Sequence, residues 1–350
     1  MKVGLFVNRV TDYTRPVFES LFERVDLRVY AFRDKIPSSL DGESFSSLSA
    51  GGYWLSDAPL ALREDHDILI AGGLNYFTTH TVSLVAKLTD TPLILWTDEW
   101  AATQNSPKHR LLAPAKRAVT GLADGYLACG SPQAKFLRSM GASADDITVA
   151  RYSACTIPPQ HAWEVPPEAG NGGFDASYVL YLGRLVERKG IFDLVRAFER
   201  QKAETQGDYQ LVVAGKGSLA GQLADQCRAA PETSIIPRYV SHAEKAWLLA
   251  NASVTCLPSR AEPWGITVTE SLSLDTPVIT STEVAAALDH VAEGHNGFVI
   301  PAGDQQALVE ALGNLELLDM DHSAASAPVT EWTAETQADR FYERVSQTVR

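Results

Sequence analysis

The chain of 350 residues is long for one domain and comfortable for two, and its 45% hydrophobic and 21% charged residues are typical of a globular protein. Its net charge of −13 argues against nucleic acid as a partner, because binding nucleic acid requires a basic face. No apolar run approaches the roughly 20 residues of a membrane-spanning helix, no signal peptide precedes the first apolar strand, and the four cysteines form no metal or redox motif. We therefore expect a cytoplasmic protein.

Apolar runs in the first half of the chain predict strands that alternate with helices. The predicted strands cover residues 2–8, 27–32, 67–71, 92–96, 126–129 and 147–152. Between the second and the third of these strands, residues 33–63 are polar and rich in Ser and Gly, which predicts a long loop. Long loops in compact domains are often functional, so this loop is a candidate for binding a substrate.

Residues 106–122 combine a basic face with an apolar face in an otherwise acidic chain. The cations are Lys108, Arg110, Lys116 and Arg117, and the apolar side chains are Leu111, Leu112, Val119 and Leu122. This pattern predicts a peripheral contact with an anionic membrane surface or with the diphosphate of a lipid substrate. An ordinary domain helix with solvated Lys and Arg would show the same pattern, so both interpretations stay open.

The composition changes in residues 156–176, which contain two Pro-Pro pairs and a Gly-rich run and are interpreted as a linker. We accordingly predict one domain over residues 1–160 and a second over 177–331. The second half begins with a strand at 178–182 and repeats the alternation, with further strands at about 209–214, 233–236, 253–257, 277–280 and 297–300. Repeated β–α–β units predict a doubly wound parallel sheet in each half.

The stretch from Pro258 to Glu270 carries the clearest chemistry. It follows a short apolar strand, turns at Glu262-Pro263 and enters a segment with helical spacing. The free N–H groups at the start of a helix form a natural anion site, and carboxylates accept hydrogen bonds from sugar hydroxyls. Glu262 and Glu270, eight residues apart, could therefore face one phosphate-bearing sugar ligand. Taken alone, the two carboxylates would be interpreted as solvated groups near a helix end.

This stretch resembles the E-x7-E signature of the retaining glycosyltransferases of family GT4. The run Gly183-Arg184-Leu185 followed by Lys189-Gly190 is similar to a second motif of that family, and the resemblance covers most of residues 176–305. It implies the α/β GT-B fold, in which two doubly wound Rossmann-like domains face a central cleft. The final helix, residues 335–349, resembles the tail that returns to the N-terminal, acceptor-side domain in this fold.

The resemblance also implies roles for individual residues at a nucleotide-sugar site. Glu270 would hold the ribose hydroxyls and Glu262 the hydroxyls of the transferred sugar, while Arg184 and Lys189 would stabilise the charge on the leaving diphosphate. The remaining predicted donor contacts are Gly183, Gly215 and Lys216 beside the nucleotide, Tyr239 and Val240 at the base, and the backbone N–H groups of Trp264, Gly265, Ile266 and Thr267.

The N-terminal half departs from the family pattern in two places. The loop after the first strand lacks the usual paired glycines, and Asn8, Arg9, Asp12 and Arg15 are candidates to replace their contacts with side chains. Thr97 stands at the position of the family's histidine, so Asp98 or Glu99 is the candidate to act on an acceptor hydroxyl. A loop or capping carboxylate is an equally good interpretation of either residue.

We therefore predict an enzyme that transfers a sugar from a donor such as a UDP- or GDP-sugar to a glycan or lipid-linked acceptor, with retention of anomeric configuration. No acidic D-x-D motif is present, so neither a metal nor a cofactor is expected. The two departures leave room for a non-catalytic nucleotide-sugar-binding partner of another transferase. A GT-B-like epimerase is favoured less, because the E-x7-E pattern points to transfer.

Overall fold

The computed structural model describes residues 1–31, 45–47, 65–104, 107–154, 156–170, 174, 177–205, 209–227, 232–318, 320 and 327–349, with the side chains of 45–47 and 108 excepted. The chain divides into two compact units. The N-terminal unit contains Met1–Tyr152 and Trp332–Arg350, and the C-terminal unit contains Ser153–Glu331. The first segment of the N-terminal unit thus ends at Tyr152, whereas the sequence predicted a domain boundary at residue 160. No helix of the described ranges is long and apolar enough to span a bilayer.

The N-terminal unit is built on a seven-stranded parallel sheet in the order β3-β2-β1-β4-β5-β6-β7. Its strands are β1 Lys2–Val7, β2 Asp26–Ala31, β3 Phe45–Ser47, β4 Ile68–Gly72, β5 Leu93–Thr97, β6 Gly125–Ala128 and β7 Ile147–Val149. Its helices include α1 Arg15–Phe22, α2 Phe77–Thr89, α3 Pro107–Thr120 and α4 Ser131–Ser139, with 3-10 turns at Ala101–Gln104 and Ala144–Asp146. The inner strands are buried on both faces, which explains their uninterrupted apolar runs.

One prediction in this unit was wrong in part. The segment 33–63 was predicted to be a loop, yet Phe45–Ser47 forms β3 and pairs in parallel with β2. A three-residue strand is too short to show an alternating pattern, so it could not be predicted from the sequence. The rest of the segment lies outside the described residues.

Helix α11, Ala334–Thr348, belongs to the N-terminal unit although it lies at the other end of the chain. A capping box between Thr333 and Thr336 fixes its start. The Phe341 ring is fully buried, with its centroid 5.1 Å from that of Trp96 on β5. The Arg344 guanidinium donates to Thr148 Oγ1 at 3.0 Å. The last helix is therefore part of the core beside β5 and β7.

The C-terminal unit has a six-stranded parallel sheet in the order β10-β9-β8-β11-β12-β13. Its strands are β8 Tyr178–Leu182, β9 Gln210–Ala214, β10 Thr233–Ile236, β11 Val254–Leu257, β12 Val278–Ser281 and β13 Gly297–Ile300. Its helices include α5 Ile191–Thr205, α6 Ala220–Cys227, α7 His242–Ala250, α8 Ile266–Leu272, α9 Ala285–His290 and α10 Gln305–Gly313. Four further 3-10 turns are Gln160–Ala162, Glu187–Lys189, Leu315–Leu317 and Val329–Glu331. The predicted strands are confirmed to within one residue.

The strand order reverses between β8 and β11 in the C-terminal unit and between β1 and β4 in the N-terminal unit. Loops on the two sides of such a switch point diverge and leave a crevice at the carboxyl ends of the strands, where open α/β sheets bind ligands. The two sheets therefore each indicate where a site should be sought.

The segment interpreted as a linker is attached to the C-terminal unit. The indole of Trp163 donates to the Pro158 carbonyl at 2.8 Å, and Glu168 accepts two hydrogen bonds from the Arg238 guanidinium, at 3.0 and 2.8 Å. A bidentate arginine–carboxylate pair fixes both partners in orientation. Its described residues thus follow the surface of that unit.

Candidate functional site

The turn between β11 and α8 depends on a glycine. Gly265, directly before α8, has φ +100°, and an added Cβ would approach Val284 Cγ1 to 2.6 Å. The N–H groups of Ile266 and Thr267 lie in the first turn of α8, where they have no partner within the helix and point outward. The buried indole of Trp264 instead donates inward to Thr269 Oγ1 at 3.1 Å. Trp264 can therefore serve a ligand only through its backbone.

Glu262, in the same turn, is held by cations that follow β8. The Lys189 ammonium donates to Glu262 Oε2, and Arg188 Nη1 lies 3.5 Å from the same oxygen. Arg188 Nη1 also donates to the Ala261 carbonyl at 2.6 Å. The two loops on either side of the β8/β11 switch point are thus joined, and they bring a predicted carboxylate and a predicted cation together.

Positive charge exceeds negative charge at this point. Burial lowers the pKa of Lys189, the neighbouring charges of Arg188 and Arg184 lower it further, and the Glu262 carboxylate opposes them. Arg184 is exposed at the end of β8. Three cations around one carboxylate leave the cluster Arg184, Arg188, Lys189 and Glu262 with a net positive charge, which favours an anionic ligand. Arg188 was not singled out from the sequence, because an arginine beside a lysine has no distinctive spacing.

Glu270 lies in a second cluster, on α8. Its side chain is almost fully buried, and its Oε1 accepts hydrogen bonds from Lys245 on α7 and from Thr156. Lys245 Nζ also donates to Thr156 Oγ1 at 2.8 Å. Glu270 is therefore a fixed, paired carboxylate rather than a solvated one. Lys245 and Thr156 were missed, since only the fold brings them beside Glu270.

The loops after β8 and β9 approach each other closely. Gly215 has φ +152°, and a Cβ there would lie 1.8 Å from the Gly183 carbonyl oxygen. Gly183 N donates to the Ala214 carbonyl at 3.0 Å, and Leu185 N donates to that of Lys216 at 3.0 Å. The ends of β8 and β9 are thus joined by backbone contacts, which bring together the predicted residues Gly183, Gly215 and Lys216.

Tyr239 and Val240 are the two residues predicted to contact a base, and they follow β10. Tyr239 is 72% exposed, and Lys216 Nζ lies 5.9 Å from the centre of its ring. Val240 is partly buried and packs against the apolar cluster of β8, β9 and α7. The exposed aromatic ring is available for stacking, whereas Val240 mainly supports it.

The N-terminal unit contains a cavity of about 180 Å³ at the carboxyl ends of β1, β4 and β5. Its walls are formed by Val7, Asn8, Arg9, Thr11, Tyr13, Thr14, Gly72, Gly73, Tyr76, Trp96, Asp98 and Tyr152. Of the predicted loop side chains, Asn8 and Arg9 line it, while Asp12 and Arg15 are not among its lining residues. Asp98 lines it as well, but Glu99 does not.

Aromatic rings form much of the cavity wall. The ring centroids of Tyr13 and Tyr152 lie 5.2 Å apart, those of Trp96 and Tyr152 lie 6.1 Å apart, and Asn8 Nδ2 donates to the Tyr76 hydroxyl at 2.9 Å. Burial raises the pKa of Tyr13, and the nearby negative charge of Asp98 raises it further. The phenol of Tyr13 is therefore neutral, and the cavity offers aromatic faces with a few polar groups.

Lys116 does not belong to a basic surface, so that part of the prediction for 106–122 was wrong. Its side chain on α3 is fully buried, and its Nζ donates to Glu99 Oε2 at 2.8 Å and to Gln104 Oε1 at 2.5 Å. The buried face of α3 includes Lys116, whereas Leu111, expected on the apolar side, is 82% exposed. Arg110 and Arg117 are exposed, and a membrane contact through them stays a prediction.

Comparison with known proteins identifies the C-terminal unit. Residues 173–326 match the family model described as glycosyl transferases group 1. This region belongs to the group 1 glycosyltransferases. It contains the Arg184–Lys189–Glu262 cluster, Glu270 and the Gly183–Gly215 contact, whereas Asp98 and the cavity lie outside the match.

Curated relatives of the group 1 region match only part of the chain. A phosphatidyl-myo-inositol mannosyltransferase of Mycobacterium leprae is 33% identical over 177 residues, which cover 48% of this chain and 46% of that protein. A GalNAc-alpha-(1->4)-GalNAc-alpha-(1->3)-diNAcBac-PP-undecaprenol alpha-1,4-N-acetyl-D-galactosaminyltransferase of Campylobacter jejuni is 28% identical over 145 residues, 40% of each chain. The chain thus spans less than half the length of these relatives.

Solved structures match over the whole chain. A lipopolysaccharide outer core galactosyltransferase, WaaB in its apo form, has a TM-score of 0.74 at 19% identity and covers 99% of both chains. Alr3699/HepE of Anabaena, in complex with UDP and glucose, has a TM-score of 0.74 at 15% identity and covers 99% of this chain and 100% of its own. Together with the two sheets, these similarities show that the group 1 region is one half of an α/β GT-B fold.

Proposed function

We propose that the protein is a glycosyltransferase that moves a sugar from a nucleoside-diphosphate-sugar donor to a glycan or lipid-linked acceptor. The observation that carries this proposal is the cluster of Arg184, Arg188 and Lys189 with Glu262 at the switch point of the group 1 region. A diphosphate leaving group gains negative charge as the bond to the sugar breaks. Fixed cations at that point stabilise the transition state more than the ground state.

Within this proposal the two carboxylates have different roles. Glu262 accepts hydrogen bonds from hydroxyls of the transferred sugar, because it lies beside Lys189, which faces the diphosphate. Glu270, held by Lys245 and Thr156, accepts those of the ribose. The first N–H groups of α8 support the phosphate, and Tyr239 offers a face to the base. We further propose retention of configuration, which rests on the resemblance to the GT4 family.

The donor site is proposed to need no metal. The cations Arg184 and Lys189 supply the positive charge that a metal would supply at the diphosphate. Among the described residues, no group of three His, Cys, Asp or Glu side chains is arranged to hold a metal ion. We expect turnover to continue in the presence of a strong chelator, and loss of activity that added Mg²⁺ or Mn²⁺ restores would contradict this expectation.

The acceptor is proposed to bind in the cavity of the N-terminal unit. Aromatic faces pack against the C–H face of a sugar ring, and the Asp98 carboxylate can accept a hydrogen bond from the attacking hydroxyl. The cavity is smaller than the roughly 300 Å³ from which sites for drug-sized ligands begin, so it holds one ring rather than a chain of sugars. Two relatives carry lipid-linked acceptors in their names, which motivates including such acceptors in a screen.

The test is a matrix of donors and acceptors offered to the purified chain. UDP-, GDP- and ADP-sugars are combined with methyl and octyl hexosides, phosphatidylinositol and polyprenyl-diphosphate saccharides, and nucleoside diphosphate release is measured with and without acceptor. We expect release that an acceptor stimulates, and a product whose anomeric configuration, determined by NMR, matches that of the donor. Donor binding without release in any combination would overturn the proposal and favour a non-catalytic binding partner.

A further inference from the structure

Two segments that line the cavity are linked to each other by hydrogen bonds. One is the turn between β4 and α2, which contributes Gly73 and Tyr76, and the other follows β5 and contributes Asp98. Gly73 N donates to the Trp96 carbonyl at 2.8 Å. In the same turn, Asn75 N donates to Glu99 Oε1 at 2.7 Å. Glu99 therefore stands next to Asp98 in sequence and binds the residue next to Tyr76.

The carboxylate of Glu99 is fixed from three directions. Its Oε1 accepts from Asn75 N, and its Oε2 accepts from Lys116 Nζ at 2.8 Å and from Gln104 Nε2 at 3.2 Å. Lys116 Nζ also donates to Gln104 Oε1. Glu99 is 5% exposed and Lys116 is 1% exposed, so water does not compete for the hydrogen bond between them. We call Asn75, Glu99, Gln104 and Lys116 the Glu99 network.

Asp98 is held on its other side as well. Gln133 Nε2 donates to the Asp98 carbonyl at 3.2 Å, and Glu99 N donates to Thr97 Oγ1 at 3.0 Å. Both bonds hold the peptide group after Asp98, and Cys129 N donates to the Thr97 carbonyl in the peptide group before it at 3.1 Å. The direction in which the Asp98 side chain enters the cavity therefore depends on the position of Glu99.

A buried ion pair is a poor device for stability alone, because desolvation offsets most of the attraction between the charges. An apolar pair of the same volume would pack α3 equally well. It could not accept the part-buried hydrogen bond of Asn75 N–H, so the turn would lose its link to the residue after Asp98. What the Glu99 network supplies, and an apolar pair could not, is therefore the position of the Asn75–Tyr76 turn.

We infer that Glu99 is a positioning residue that sets where Tyr76 and Asp98 stand in the cavity, and thereby governs use of the acceptor and not of the donor. The inference rests on the proposed function for the identity of the cavity ligand. Glu99 does not line the cavity, so it acts through its neighbours.

Two double variants without the ion pair isolate this role. In Glu99→Gln/Lys116→Met, the amide oxygen of residue 99 still accepts from Asn75 N. In Glu99→Met/Lys116→Met the shape is similar, but that acceptor is lost. Neither variant buries an unpaired charge, so urea unfolding serves to check that both fold.

Kinetics are measured with the panel acceptor that gives the most product. We expect the Met/Met variant to raise the acceptor KM about tenfold, the effect of losing one hydrogen bond to a charged acceptor. We expect release of nucleoside diphosphate without acceptor to stay within about twofold of the parent, because the group 1 residues are unchanged. The Gln/Met variant should keep an acceptor KM near that of the parent. Equal acceptor KM values for the two double variants, or an equal loss of acceptor-free release, would overturn the inference.

Crystal structures of the two variants show the position of Tyr76 without any substrate. The contact between Asn8 Nδ2 and the Tyr76 hydroxyl should persist in Gln/Met and be broken in Met/Met. If the parent chain releases no nucleoside diphosphate, the proposed function fails, but this comparison still decides whether Glu99 positions Tyr76. Should Met/Met fail to fold, a raised acceptor KM or a displaced Tyr76 in Gln/Met would contradict the inference.

Discussion

Each unit has a lysine–glutamate pair near the carboxyl ends of its strands. The two pairs differ in the charge and the exposure of their neighbours. In the C-terminal unit, Lys189 and Glu262 are joined by Arg188 and the exposed Arg184, so positive charge is in excess. In the N-terminal unit, Lys116 and Glu99 are enclosed with neutral partners, and their charges balance. We propose that pairs of the same chemistry bind an anion in one place and position a loop in the other. The number of cations and the exposure distinguish the two roles.

The units also differ in how their loops approach one another. The C-terminal unit uses backbone contact at glycines, such as Gly215 against the Gly183 carbonyl, whereas the N-terminal unit uses side chains, such as Asn8 to Tyr76 and Glu99 to Asn75. Backbone contact demands glycine at fixed positions and leaves a recognisable pattern. Side-chain contact can be made by many residue pairs and leaves none.

The largest effect is expected where the backbone contact is broken. Gly215→Ala puts a Cβ against the Gly183 carbonyl in a left-handed conformation, which should lower the free energy of unfolding by about 3 kcal/mol or more. Gly221→Ala is the matched control, because its Cβ would meet nothing within 4 Å and α6 favours alanine. Urea unfolding of both variants measures the difference. Equal stability would show that the glycine contact is not what fixes these loops.

A large effect is also expected at the cationic cluster. Lys189→Met should lower the rate of nucleoside diphosphate release by about 100-fold, since under the proposed function it removes a donor to the charge that develops on the diphosphate. Lys202→Met, in α5, is the control, because the Lys202 ammonium donates to the Tyr209 carbonyl at 3.3 Å and lies outside the predicted donor site. If Lys189→Met worked at the parent rate, the distinction between a binding pair and a positioning pair would collapse.

A moderate effect is expected at Glu270. Glu270→Gln keeps the shape of the side chain but removes the negative charge that strengthens hydrogen bonds from the ribose hydroxyls of the donor. We expect the binding free energy of the donor to weaken by about 2 kcal/mol. Glu232→Gln, at an exposed position before β10, is the matched control. Calorimetric titration with UDP, GDP and ADP gives the affinities. An unchanged dissociation constant would remove Glu270 from the donor site.

The smallest effect concerns the outer face of α3, the helix whose inner face carries Lys116. Each cation near an anionic surface adds about 1 kcal/mol, so Arg110→Gln/Arg117→Gln should weaken a salt-sensitive binding to anionic vesicles. Lys87→Gln/Lys135→Gln removes two exposed cations elsewhere in the unit as a control. Vesicle sedimentation at low salt that shows no binding, or binding that both variants weaken equally, would contradict a specific contact through α3.

The sequence predicted the C-terminal unit well and the N-terminal site poorly, for a physical reason. Glu262, Glu270 and Lys189 lie in short motifs that resemble those of the GT4 family, so local sequence was enough to single them out. Lys116 meets Glu99 only because α3 packs beside the end of β5, and the sequence therefore suggested a surface cation. The same limit hid Lys245, whose partner Glu270 lies on another helix.

The packing of α11 has a consequence for the order in which the protein is made. Phe341 and Arg344 of this helix are buried, and the Phe341 ring lies against Trp96, which lines the cavity. A ribosome that has released the first 152 residues has therefore not yet supplied a part of their core. Because chains fold while they emerge, the C-terminal unit has all of its residues available earlier than the unit that precedes it. The half that is synthesised first is the half that is completed last.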